Sequence, residues 1–155
     1  MNLTLVKELT FYLKGECNTV LFRGDAIPEI QEAAHRNGLK VRVIGPEEFS
    51  LPAVFEARRE NLQAHRDDPA AVGFWTGLRQ SLHIPSSVQV LVFRDVDQLD
   101  DTHNPILESV VKGDMDRPEE GIGFKYIWAT SNPRATLGSR LVFAFQRVVE
   151  VPGAK

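Results

Sequence analysis

The chain has 155 residues, of which 43% are hydrophobic and 25% charged, and its formal net charge at neutral pH is −3. This size and composition predict one globular domain, spanning 1–155, with one sizeable core. The slight negative charge excludes a field that would hold nucleic acid or an anionic membrane non-specifically, and no apolar run reaches the length of a membrane span.

The cysteine count and the N-terminal segment restrict the setting of the protein. Cys17 is the only cysteine, so neither an internal disulfide nor a cysteine zinc cluster can form. The first residues, MNLTLVKELTFYLKGE, include glutamates and lack a small-residue cleavage site, so we expect no signal peptide. A cytoplasmic, bacterial-type setting is the resulting expectation.

Helical and extended patterns alternate along the chain. Apolar residues at helical spacing predict helices over 3–14, 28–36, 53–66, 70–82 and 104–112. Short apolar runs predict strands over 19–22, 39–44, 88–93, 124–130 and 147–151, and a polar loop covers 113–123. The run 88–93 (VQVLVF) is typical of a central strand buried on both faces. The alternation predicts an α/β fold with a mainly parallel sheet and right-handed crossovers.

Four segments together resemble the core of the AAA+ ATPases. VLVFRDVDQL (90–99) resembles the Walker B strand, and KYIWATSNP (125–133) resembles the sensor-1 strand. RVVEVP (147–152) resembles the strand after the arginine-finger region, and 20–38 looks like the Walker A segment of bacterial enhancer-binding activators. MoxR-like proteins and clamp-loader subunits are similar too. The resemblance implies a three-layer αβα sandwich with a P-loop-NTPase-like sheet, and we expect the family's helical lid to be absent.

The segment in the Walker A position departs from the family pattern. A working phosphate loop needs several backbone N–H donors and a lysine, whereas RGDAIPE offers one glycine, Gly24, and no lysine. Asp25 would repel a triphosphate, and Pro28 lacks an N–H. Arg23 offsets part of that charge but precedes the loop. We therefore interpret Arg23, Gly24 and Asp25 as a vestigial phosphate loop.

The Walker B position is altered as well. Aligned on the apolar run, the aspartate that orders magnesium falls on Arg94 and the glutamate that activates water falls on Asp95. Shifting the alignment by one residue makes Asp95 the metal ligand but places Val96 at the base position. Either alignment leaves the pair incomplete. Asn132 matches the sensor-1 residue, and we treat Asp95 and Asn132 as vestigial positions; without a nucleotide, Asn132 and Pro133 are expected to form a turn.

Further candidates concern partners and metals. Arg140, in LGSRL, resembles the Ser-Arg of clamp-loader subunits, and Arg134 lies on the same expected subunit edge. GFWTG (73–77) resembles the loop by which enhancer-binding activators contact their sigma factor, which makes Phe74 and Trp75 candidate partner contacts or, alternatively, a core aromatic pair. Asp95 and Asp97 form an Asp-x-Asp pair that suits magnesium, or else cap the loop, with Asp95 paired to an arginine.

These observations lead to one main hypothesis and two alternatives. The main hypothesis is a catalytically inactive AAA+-like module, a pseudo-ATPase that serves as a scaffold or regulatory subunit and docks with itself or an active AAA+ protein. This hypothesis involves no cofactor and no membrane, and the sequence does not indicate a nucleic-acid partner. The first alternative is a magnesium-dependent phosphotransfer or nuclease-type enzyme using Asp95, Asp97 and either Asp100 or Asp101. The second is binding of ATP without hydrolysis, with Arg23 near the phosphates.

Overall fold

The computed structural model describes residues 1–15, 17–48, 81–85, 87–99 and 125–151. The helices are α1 (Leu3–Lys14), α2 (Ile27–Arg36) and α3 (Ser139–Ala144), with a single 3-10 turn at Val96–Gln98. The strands are β1 (Thr19–Arg23), β2 (Lys40–Ile44), β3 (Val88–Phe93), β4 (Tyr126–Ser131) and β5 (Arg147–Glu150). No helix within these ranges has the length and apolarity needed to cross a membrane.

The described strands form one parallel sheet in the order β2-β3-β4-β1-β5. From β1 the chain moves across the sheet to β2, whereas from β4 it moves the other way to β5. A crevice therefore opens beside the carboxyl ends of β1 and β4, which is where open α/β sheets bind their ligands. The predicted α/β class and parallel sheet are confirmed.

Both faces of the sheet are covered. On one face, side chains of β1, β3 and β4 pack against α1 and α2; this cluster includes Leu9, Phe22, Ile30, Val92 and Trp128. On the other face, alternate side chains of the same strands pack against α3; this cluster includes Leu21, Leu91, Ile127, Leu141 and Phe145. The arrangement is the predicted three-layer sandwich, and it explains why the inner strands are apolar at nearly every position.

Polar contacts fix α1 on the sheet. The Asn2 side chain accepts a hydrogen bond from the Leu5 N–H at 3.1 Å and caps the helix N-terminus. At the other end, Trp128 Nε1 donates to the Cys17 carbonyl at 3.2 Å. The buried carboxylate of Glu29, in the first turn of α2, accepts the Asn2 N–H at 3.0 Å and joins the two helices.

The strand ends differ slightly from the sequence-based prediction, for one reason. Arg23 pairs with Ser131 on one side and with Glu150 on the other. Because Arg23 pairs with both strands, β1 extends to Arg23 and β4 to Ser131, one residue beyond their predicted ends. Strand β5 ends at Glu150 rather than at Val151. The six-residue helix α3 was not predicted.

Several predicted segments lie outside the described residues. They are the helices over 53–66 and 104–112, the polar loop over 113–123, and the helix over 70–82 except its last two residues.

Replacing Trp128 by alanine tests the centre of the core. Its ring is fully buried and lies edge-on to Phe22 and Tyr126, with ring centroids 5.4 and 6.0 Å away. We expect Trp128→Ala to lower the free energy of unfolding by about 3–5 kcal/mol, because transfer and cavity costs add. Phe11→Ala, at a site that is 73% exposed, is the matched control and should change it by less than about 0.5 kcal/mol in urea titrations.

The pKa of Tyr12 determines how we expect the stability of the fold to change at high pH. Burial, and then the hydrogen bond from its hydroxyl to Glu8, raise the pKa of Tyr12 from 10.0 to about 12. The neutral side chain therefore stabilises the fold fully below pH 10, and that contribution is lost as the pH rises to about 12. We expect the unfolding free energy of the wild type to fall, relative to that of Tyr12→Phe, across this window. Parallel pH curves for the two proteins would contradict this assignment.

Candidate functional site

A cleft of about 590 Å³ lies at the carboxyl ends of β1, β3 and β4. Its volume is within the range of small-molecule sites. The three segments predicted as Walker A, Walker B and sensor 1 meet here. The lining residues are Gly24, Asp25, Ile27, Pro28, Arg94, Asp95, Asp97, Gln98, Thr130, Ser131, Asn132 and Pro133.

The loop between β1 and α2 is too short to surround a phosphate. Only three residues separate Arg23, the last of β1, from Ile27, the first of α2. A phosphate loop places a longer glycine-rich segment between its strand and its helix. Gly24 has a φ of 135°, which glycine tolerates, and its N–H donates to the Ser131 carbonyl at 2.8 Å instead of facing the cleft.

Asp25 occupies the helix N-terminus that would otherwise attract an anion. Its Oδ1 accepts the Ile27 N–H at 3.1 Å. The next residue, Pro28, has no N–H to donate. A helix N-terminus binds anions through its free N–H groups and the helix dipole, and here one of those groups already has an acceptor within the chain.

The guanidinium of Arg23 is engaged away from the cleft. It donates to the carbonyl of Pro133 at 3.2 Å and to that of Ala135, and it lies 3.7 Å from Glu150. Its side chain is only 20% exposed. Of the three residues predicted as a vestigial phosphate loop, Gly24 and Asp25 therefore line the cleft, whereas Arg23 holds the turn after β4.

Arg94, the first residue after β3, is neutralised by two carboxylates. Its Nη1 lies 2.7 Å from Asp95 Oδ2, and its Nη2 lies 2.7 Å from Glu47 Oε1. The pairing of Asp95 with a neighbouring arginine was one of the predicted arrangements. Asp95 itself has a left-handed backbone, with φ 56° and ψ 52°, and its N–H donates to Thr130 Oγ1 at 3.2 Å.

The turn after β2 positions Glu47 for this pairing. Within it, Glu48 accepts the Gly45 N–H at 3.1 Å and an Arg42 N–H at 3.0 Å. The Gly45 hydrogen bond, and then the Arg42 hydrogen bond, hold the pKa of the Glu48 carboxyl below its ordinary value. The turn is thus fixed by an ionised carboxylate, and Glu47 is presented to Arg94.

A hydrogen bond links Asp97 to the turn after β4. The Asn132 N–H donates to Asp97 Oδ1 at 2.9 Å. The Asn132 side-chain oxygen accepts the Arg134 N–H at 2.9 Å, and its carbonyl accepts the Ala135 N–H at 3.1 Å. Asn132 therefore closes a turn with Arg134 and Ala135.

Among the described residues, the charged lining of the cleft is acidic. Asp25, Asp95 and Asp97 there oppose the guanidinium of Arg94. Within the described ranges, no group of three histidine, cysteine, aspartate or glutamate side chains is arranged to hold a metal ion. The arrangement is suited to internal ion pairing and to contact with cationic groups.

The remaining predicted residues lie elsewhere. Arg134 and Arg140 are exposed and do not line the cleft. Phe74, Trp75, Asp100 and Asp101 lie outside the described residues. Sequence reasoning missed the contacts of Glu47 and Thr130, since neither residue type signals a partner that is distant along the chain.

Comparison with known proteins identifies the fold. No protein-family model matches the sequence, and no curated protein matches it either. Two solved structures of Thermotoga maritima RuvB variants are similar at 13% identity over 97% of this chain, with TM-scores of 0.54 and 0.53. Domain III of the Thermotoga maritima replication initiation protein DnaA is 16% identical over 97% of this chain, with a TM-score of 0.50.

These neighbours are AAA+ ATPases, so the chain has an AAA+ core fold of the P-loop-NTPase type. At such identities the likeness identifies the fold alone. The chain spans 45% of the length of the RuvB structures and 62% of DnaA domain III.

Substitution of Asp25 tests the hydrogen bond that its carboxylate accepts from the Ile27 N–H. We expect Asp25→Ala to lower the free energy of unfolding by about 1 kcal/mol, because the Ile27 N–H loses its acceptor. Asp25→Asn is the matched control: it keeps an acceptor oxygen and should retain most of the stability in urea titrations. Equal losses in both variants would show that the charge, rather than the hydrogen bond, stabilises the helix N-terminus.

Proposed function

We propose that this chain is an AAA+-like module that does not hydrolyse nucleotide and acts through protein contacts, as a scaffold or regulatory subunit. One observation carries the proposal: in the cleft where this fold type binds its ligand, charged groups of the described residues are held by partners within the chain. Asp25 accepts the N–H of Ile27, the first residue of α2, and Arg94 is held between Glu47 and Asp95.

Charge argues against a triphosphate in this cleft. Within the described part of the chain, three carboxylates line it, against one guanidinium that is already paired. Two like charges about 4 Å apart repel by roughly 4 kcal/mol at the effective dielectric near a protein surface. The three-residue loop offers no cradle of N–H groups to offset that repulsion. Neither ATP nor ADP is therefore an expected cofactor.

The groups needed for hydrolysis are also missing from their expected positions. Phosphoryl transfer in this fold type depends on a metal-ordering carboxylate at the end of the central strand. Arg94 occupies that position here. The carboxylate of Asp95 is bound to Arg94, and an oxygen of Asp97 accepts the Asn132 N–H. Both aspartates that follow Arg94 therefore already have partners within the chain.

The surface away from the cleft supports a role in assembly. Arg134 and Arg140 are exposed, and Phe143 on α3 is 79% exposed. Large exposed aromatic side chains beside cations are typical of protein interfaces. The partner is a second copy or an active AAA+ protein. The free thiol of Cys17 suits a reducing, cytoplasmic compartment.

Calorimetric titration with ATP and ADP, with and without magnesium, tests the proposal. We expect no binding heat at millimolar nucleotide, while an active AAA+ protein titrated in the same buffer gives a normal isotherm. Micromolar binding that depends on magnesium would contradict the proposal, because it would require the Arg94 ion pairs and the hydrogen bond between Ile27 and Asp25 to open. Turnover of ATP by the wild type would contradict it outright.

A further inference from the structure

We infer that the cleft binds a linear aliphatic diamine or polyamine, a small organic cation that carries ammonium groups along a methylene chain. The inference rests on the proposed function, because it requires a cleft free of nucleotide. It adds the chemical class of a ligand to that function, and a regulatory subunit with such a site responds to the concentration of the cation.

A buried hydroxyl in the cleft lacks a close hydrogen-bond partner. Ser131, the last residue of β4, is 3% exposed and lines the cleft. Its Oγ lies 3.4 Å from the Asn132 carbonyl, which is beyond the usual range of about 2.5–3.0 Å for a hydrogen bond between two oxygens. Buried hydroxyls normally have a partner. A ligand with N–H groups would give Ser131 the partner that it lacks among the described residues.

Three carboxylates supply negative charge and further acceptors. Asp25, Asp95 and Asp97 each use one oxygen in the contacts described above. The other oxygen of each has no hydrogen-bond partner among the described residues, and all three side chains line the cleft. The guanidinium of Arg94 does not cancel this charge, because it is shared with Glu47. The described lining therefore attracts a cation.

The carboxylates are spread along a row of strand ends. Asp95 lies just after β3, Asp97 contacts the turn after β4, and Asp25 lies just after β1. Strand β4 lies between β3 and β1, and because neighbouring strands are about 4.8 Å apart the row covers roughly 10 Å. Within the described ranges, no group of three such side chains is arranged to hold a metal ion. Charges spread in this way match a ligand whose own charges are spaced.

A diamine with four carbons has suitable dimensions and polarity. Its nitrogens are roughly 6 Å apart when the chain is extended, and a charge-assisted N–H···O bond adds about 2.8 Å at each end. Ile27, Pro28 and Pro133 line the cleft and offer apolar contact to the methylene chain. The volume of about 590 Å³ admits a ligand of this size. Alkylammonium groups are charged at neutral pH, as lysine is.

Calorimetric titration with putrescine, spermidine and butylamine tests the ligand class. Butylamine has the same four-carbon chain as putrescine but only one ammonium group. We expect putrescine to bind about fivefold or more tightly than butylamine, and spermidine to bind more tightly still. Magnesium chloride at matched ionic strength should displace neither polyamine, and high salt should weaken the binding of all three amines.

Charge substitutions test the site. Asp25→Asn and Asp97→Asn remove a charge but keep an oxygen that can accept the backbone N–H, and each should weaken putrescine binding about twofold to fivefold. Gln98 is exposed and lines the cleft, so Gln98→Glu should strengthen binding and Gln98→Lys should weaken it. The matched control is Glu32→Gln on α2, where Glu32 pairs with Arg36; it removes the same charge outside the cleft lining and should leave the affinity unchanged.

Ser131→Ala separates a role in binding from a role in folding. We expect it to weaken putrescine binding about twofold to fivefold and to leave the midpoint of thermal unfolding unchanged, because its hydroxyl has no close partner among the described residues. A lower midpoint with an unchanged affinity would contradict the assignment of this hydroxyl to the ligand.

Two results would overturn the inference: no binding of putrescine or spermidine at millimolar concentration, or equal losses of affinity in Glu32→Gln and in the cleft variants. The second result would mean that the amines respond only to the net charge of the protein. If ATP and ADP also give no binding heat, either result leaves the proposed function standing without this ligand. Nucleotide binding that depends on magnesium would instead remove both proposals, whatever the amines do.

Discussion

The placement of β1 between β4 and β5 is the constraint on which the rest of the structure depends. The backbone ladder runs from Thr19 to Arg23 on one side and from Val20 to Arg23 on the other. It brings the loop after β1 beside the turn after β4, and β3 joins on the far side of β4. Three segments that are distant along the chain thereby share one edge of the sheet. Both faces of β1 and β4 are apolar because helices cover each of them.

At that edge, charged side chains of the chain pair with one another. A divalent cation and an anionic nucleotide would neutralise each other in a working site of this fold type. Here the positive charge is Arg94 and the negative charges are Glu47 and Asp95, all supplied by the chain. Pairs with this degree of exposure contribute little to stability individually. Their effect is to give each of these charges a partner within the chain.

Much of this structure follows from local sequence patterns, and the exceptions have physical causes. The run VQVLVF is β3 from its first residue to its last, because every position except Gln89 is apolar and buried. Helix α3 escaped prediction because only six residues are helical, and Phe143 places a large apolar side chain on its solvent side. The pairing of Arg94 with Asp95 could be anticipated because the two are adjacent. The pairing with Glu47, 47 residues earlier, depends on the β2–β3 contact and has no local signal.

The hydrogen bond that Asp25 accepts from the Ile27 N–H has a consequence for any anion that diffuses to the cleft. The carboxylate is tethered two residues from the N–H that it accepts, so its effective concentration at that N–H far exceeds that of a free metabolite. A phosphate would have to displace a resident competitor that never leaves the molecule. An anion at this helix N-terminus would therefore compete with a carboxylate of the same chain.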